Sequence, residues 1–178
     1  MVTHPELYGI NICYSHFDKL VKLNNKLSRI LQHKDSFSPV QDLYVTYNTL
    51  PIVKLHNLYL LLFVHKCIHH VAALPCIFNN YFVPNSTVHS HKTGQSDQLH
   101  LLTSNTEYGQ RCLTYKGNIL LNNLPRNLQQ NANTHQFMKQ IKNYLTDILI
   151  CMKLVVVGDQ LKFLLTMGLS YVHYICYI

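Results

Sequence analysis

The residues of this 178-residue chain best suited to chemistry are its 12 histidines and 6 cysteines, and their spacing decides what they can do. His89 and His91 form a His-x-His pair with His100 further along, while His65, Cys67, His69 and His70 crowd one stretch ahead of Cys76. A structural zinc site gathers four ligands from two closely spaced pairs. Neither cluster follows that rule, and the flanks of His89 and His91 read as loop, where nothing forces the two rings onto one face. The sequence predicts no metal and no cofactor.

The carboxylates argue in the same direction. Asp18, Asp35, Asp42, Asp97, Asp147 and Asp159 stand apart from one another, as do Glu6 and Glu107. Two-metal nucleotidyl transfer needs clustered acids, because dense negative charge must offset two divalent ions. The chain has no Gly-x-Ser-x-Gly nucleophile turn, and its glycines stand singly, so no phosphate-cradling loop is present. No residue is assigned a catalytic role, and the expectation is a protein that is not an enzyme.

The cations do form a pattern. Placed at about 100° per residue, Lys19, Lys22, Lys26 and Arg29 share an arc of roughly 80° on one predicted helix. His33 and Lys34 extend this charge past the helix end, where cations also suit the macrodipole. Lys92, Arg111 and Lys116 are lesser candidates. Lysine and arginine rows of this kind can track a phosphate backbone without reading bases; equally, such a row can be an ordinary solvated face.

The elements that must carry these residues follow from periodicity. Ser15 and Asp18, three apart, suit a capping box opening a helix to about Gln32. On it Phe17, Leu20, Val21, Leu27, Ile30 and Leu31 share the side opposite the cations. A turn over 36–39 precedes a short helix over 40–47, and Pro51 suits the first turn of a long apolar helix from Ile52 to about His70. That helix is interrupted by Lys54, His56, His65 and Lys66, so buried core is expected there and not a membrane span. A short aromatic-rich helix is expected over 74–82, and polar loop over 85–105. Residues 107–116 alternate weakly enough for a strand or hairpin, and 117–125 read as a helical turn closed by proline. Asn133 or Thr134 caps a closing helix with Phe137, Ile141, Tyr144 and Ile148 on one stripe, Lys139 and Lys142 staying on its wet side.

Composition bounds the whole. At 48% hydrophobic and 13% charged residues, the chain is ordered, with room for one core. A net charge of +7 suits an anionic partner. The cysteines lack a disulfide-like pattern and the first residues lack a secretory signal, which predicts reduced thiols in an intracellular protein of cytoplasm or nucleus. Asn85-Ser86-Thr87 is then a chance glycosylation match. The stretch 147–178 is an apolar extension, and its uncharged part, 163–178, is short of the roughly 20 residues of a membrane span.

Several stretches resemble, in order, the C-terminal thumb and tail of reverse transcriptases from non-LTR (LINE or jockey-type) retrotransposons. They are YGIN at 8–11, KLVKLNNKLSRILQ at 19–32, DLYVTYNTLPIVKLHNLYLLLFVHK at 42–66, HSHKTGQ at 89–95, YGQRCLTYKGNILLNNLP at 108–125 and FMKQIKNYL at 137–145. Two positions depart from the family pattern: Gly94 stands where its loop carries arginine, and Leu121 where it carries tryptophan. The Tyr-x-Asp-Asp polymerase signature is absent from this sequence. The resemblance implies a noncatalytic remnant over 1–146, binding RNA or an RNA–DNA hybrid backbone at most weakly and without sequence preference. The rival expectation is an interaction module whose apolar C-terminal stretch docks a hydrophobic partner or a membrane. For architecture the sequence predicts a mainly helical (α+β) domain of about five helices, with one small β-hairpin or strand pair.

Overall fold

The computed structural model describes residues 14–91 and 94–157. Its organising element is α3, Ile52–His69. Pro51, at φ −56° and ψ 151°, ends the preceding extended backbone and opens the helix. Because α3 is apolar on nearly every side, it takes the central position. Leu60, Leu61 and Val64 are fully enclosed, with Leu58, Phe63 and Cys67 buried around them.

Two helices flank α3. The closing helix α8, Thr134–Val157, is capped by the Asn133 side chain, which accepts from the backbone N–H groups of His135 and Gln136 at 3.0 and 3.1 Å. Phe137, Ile141 and Leu145 recur every four residues and form its buried stripe. On the other side lies α6, Leu113–Asn122. Its approach to α3 is set by Gly117, where a β-carbon would sit 2.8 Å from Val64 Cγ2 and 3.0 Å from Phe82 Cε1. Leu121, also on α6, is buried in this core.

The remaining elements close the ends. Helix α1, Tyr14–Leu31, and the short α2, Val40–Thr46, pack together and against the α3 and α8 layer. Tyr44 Oη accepts from Asn24 Nδ2 at 2.7 Å and donates to Asn25 Oδ1 at 2.8 Å, tying the two helices together. Single helical turns occur at α4 (Asn85–Val88), α5 (Glu107–Gln110) and α7 (Arg126–Gln129). Helices α1 and α2 each end on a left-handed residue, His33 at φ 51° and Asn48 at φ 49°. There the next N–H turns back to a helical carbonyl, Lys34 to Arg29 and Thr49 to Tyr44, both at 2.9 Å.

The mainly helical class expected from sequence is what the chain forms, with five helices of seven or more residues among the described residues. Three local expectations differ. The helix of 14–31 begins before Ser15, so Ser15 is not its cap, and Asp18 is instead paired with Lys22 one turn on. Residues 74–82 form only a three-residue 3-10 turn at Cys76–Phe78. Pro75 starts that turn, and Phe78, Tyr81 and Phe82 then splay edge-on around Phe63 and one another. Over 107–116 there is no strand. Thr106 Oγ1 caps the Gly109 N–H at 3.1 Å, and Glu107 pairs with Arg111 one turn on, so local contacts select α5 and the start of α6.

Among the described residues, β structure is limited to one antiparallel bridge, Pro84 with Leu99. The division expected at residue 147 falls inside α8, which runs on to Val157. Among the described residues no helix is long and apolar enough to cross a membrane. Residues 158–178, most of the apolar extension, lie outside the described part, as does YGIN at 8–11.

Candidate nucleic-acid interface

Helix α1 carries the cationic row, and three surfaces divide its circumference. Phe17, Val21, Asn24, Asn25 and Ser28 face the fold, each half-buried. Phe17 meets the ring of His56 edge-on, with centroids 5.7 Å apart. Lys19, Lys22 and Lys26 are exposed on the far side. Lys22 Nζ lies 2.7 Å from Asp18 Oδ2, and that bond raises its pKa, so it stays an ammonium ion. Both partners are well exposed, and the pair leaves the row net positive. Between these two surfaces lies an exposed apolar strip of leucines and Ile30.

That strip revises the sequence reading. Phe17 and Val21 do pack inward, but Leu20, Leu27, Ile30 and Leu31 do not. The hydrogen bonds of Asn24 and Asn25 to Tyr44 turn the helix onto its Asn/Ser flank. Periodicity located the amphipathic arc correctly and could not say which edge of it would meet α2 and α3.

Arg29, Arg111 and Lys116 do not join the row as free charges. Arg29 is half-buried, and its Nε donates to the Ser38 carbonyl at 2.9 Å, holding the turn after α1. Arg111 is bound to Glu107 with its side chain mostly covered. Lys116 is partly buried on α6, and burial lowers its pKa. It lies close enough to His56 to affect that ring, whose pKa falls to about 4, first through burial and then through the Lys116 charge. Lys92 lies outside the described residues. A phosphate backbone would therefore meet Lys19, Lys22 and Lys26, three cations spaced over about 10 Å of helix.

One of the stretches quoted for the family resemblance, 108–125, clasps the polar loop through two asparagines of α6. Asn122 Nδ2 donates to the Leu99 carbonyl and its Oδ1 accepts from the Leu99 N–H, both at 2.9 Å. One turn earlier, Asn118 Nδ2 donates to the His100 carbonyl at 2.6 Å. On the loop's other edge, Asn85 N donates to Gln98 O and His100 N to Val83 O, both at 2.8 Å. Gln129 Nε2 donates to the carbonyls of Leu124 and Leu121 at 2.6 and 3.0 Å, satisfying the end of α6. Beside the clasp an open cleft of about 800 Å³ runs from His65 and His69 to Arg126. The signal for this clasp was present as Asn118 and Asn122, four apart on one helix face.

The histidines at the end of α3 contact the loop before α8, His70 Nε2 lying 3.3 Å from the Ala132 carbonyl. His65 is enclosed, its Nε2 donates to the Asn131 carbonyl at 2.7 Å, and its ring stacks on Phe137 with centroids 4.3 Å apart. Burial lowers its pKa, opposed by the hydrogen bond to Asn131 and aided by His69 and His70. His89 and His100 meet edge-on at 5.2 Å. Among the described residues no three His, Cys, Asp or Glu side chains are placed to hold a metal ion. Comparison with protein-family models, with curated proteins and with solved structures yields no match to this chain.

Proposed function

We propose that this chain is a noncatalytic helical module derived from the tail of a non-LTR retrotransposon reverse transcriptase, and that it binds RNA or RNA–DNA hybrid through backbone phosphates. The observation that carries the binding reading is the exposed Lys19–Lys22–Lys26 row on the outer face of α1. Its partners are phosphate charges, so affinity depends steeply on salt and little on base sequence. The family origin rests on the ordered motifs at 19–32, 42–66, 89–95, 108–125 and 137–145, and the noncatalytic reading on the dispersal of its acids. Asp18 pairs with Lys22 on α1 and Glu107 with Arg111 on α5, in separate parts of the fold.

Fluorescence anisotropy with a labelled RNA–DNA hybrid, titrated at several salt concentrations, tests the binding. Replacing Lys19, Lys22 and Lys26 by Glu should weaken it and flatten the slope of log K against log salt by about 2 to 3. A chain that binds without salt dependence, or a triple variant that binds as well as the parent, would refute the reading. The origin is tested separately by the coding sequence next to this one, where an intact or decayed polymerase core is expected.

A further inference from the structure

Helix α1 exposes two kinds of side chain on adjoining arcs. Leu20, Leu23, Leu27, Ile30 and Leu31 are 41–70% exposed. At about 100° per residue they span an arc of roughly 100°, and the strip runs about 16 Å along the helix. Lys19, Lys22 and Lys26, all exposed, occupy the arc next to it. Phe37, 95% exposed, stands in the turn after the helix, which the Arg29 Nε bond to the Ser38 carbonyl holds in place at 2.9 Å. A continuous exposed apolar strip marks a contact surface, and here its occupant must also answer the lysines.

That double demand separates the candidates. A phosphate backbone neutralises the lysines and leaves the leucines in water. A second copy of α1 covers the leucines but brings no countercharge to the row. The acid of Tyr14–Leu31 is Asp18, which is already paired with Lys22 of its own helix. An anionic phospholipid surface meets both demands: headgroups pair with the ammonium groups while the aliphatic side chains enter the boundary with the acyl chains. The lysine stems lie beside the strip and carry their charged ends to headgroup level as the leucines descend. The half-buried flank of Phe17, Val21, Asn24, Asn25 and Ser28 stays on the fold, so the contact needs no unfolding of α1.

We propose that α1 is an interfacial helix that lays its Leu20–Leu31 strip on an anionic phospholipid surface, with Lys19, Lys22 and Lys26 along the headgroups. This is a second use of the lysine row, set apart from nucleic-acid binding by its need for the leucines. The chain has no tryptophan, so Leu23→Trp in the full chain places a single indole on the strip. With vesicles of about 30% phosphatidylserine in phosphatidylcholine, its emission should shift to the blue and be quenched by brominated acyl chains. Vesicles of phosphatidylcholine alone should bind on the order of 30-fold more weakly, about fivefold for each net charge left when Asp18 is set against the three lysines. Leu23 and Leu27 are 64% and 50% exposed, so the double variant Leu23→Asn/Leu27→Asn keeps the core. It should lose vesicle affinity by on the order of tenfold or more and bind RNA–DNA hybrid as the parent does. An indole left unshifted while the chain sediments with the vesicles, equal binding to neutral vesicles, or unchanged vesicle affinity in the double variant would overturn the proposal. So would a blue shift that needs no lipid and grows with protein concentration, the mark of a second copy on the strip.

Discussion

His56 makes stability depend on pH in a way that can be calculated before it is measured. The imidazole is buried with its ring edge-on to Phe17, and its pKa is lowered to about 4 by that burial and by the nearby Lys116 ammonium. In the unfolded chain it returns to about 6.5. As pH falls, the unfolded state therefore takes up this proton first, and stability present above about 6.5 drains away between 6.5 and 4. Linkage between those two values gives a loss of about 2 kcal/mol from pH 7 to pH 5 for this residue.

His65, lowered in the same direction, adds to the acid sensitivity through a separate site. The perturbation is His56→Leu, which keeps an apolar contact to Phe17 and removes the proton. Urea unfolding followed by circular dichroism at pH 7 and pH 5 gives the two stabilities for each protein. The variant should lose about 2 kcal/mol less than the parent over this interval, whatever its stability at pH 7. Equal losses in both proteins would mean that His56 is not held neutral by its surroundings, and the packing of α1 on α3 would need revision.

Three further substitutions probe other joints. Gly117→Ala gains about 1 kcal/mol of helix propensity but drives a methyl group against the stiff Val64 side chain and Phe82, so a net thermal destabilisation of about 1 kcal/mol is expected, read by melting. Asn122→Ala strips the buried Leu99 N–H and carbonyl of their partner and should cost about 2 to 3 kcal/mol in urea unfolding. His33→Gly relieves a left-handed backbone and should stabilise by about 0.5 to 1 kcal/mol, measured the same way.

The sequence carried the helices wherever periodicity and a breaker agreed. Pro51 and the apolar run behind it placed α3, and Asn133 with the Phe137–Ile141 spacing placed α8. It failed where a local contact outweighed pattern: Glu107 with Arg111 makes a helical turn from residues whose apolar alternation is strand-like. The cationic row was legible because charge repeats on α1 as plainly as leucine does. Which flank of α1 would be buried was not, since that depends on Tyr44, 19 and 20 residues away in the chain from the asparagines it joins. Arg111 and Lys116 read as free cations because covering by neighbours leaves no mark in local sequence. The roles of Asn118 and Asn122 stayed hidden for a related reason, as their partners are backbone groups of a loop with no periodicity of its own.

Fastening Leu99 and His100 to α6 on one edge and to residues 83–85 on the other makes a polar, loop-like passage part of the cooperative unit. Its amides should exchange with solvent as slowly as those of the helices, while residues 101–105, just beyond the last of these bonds, exchange early. An inserted tag would then be borne after His100 and rejected within 94–100, a boundary that hydrophilicity along the chain would never draw.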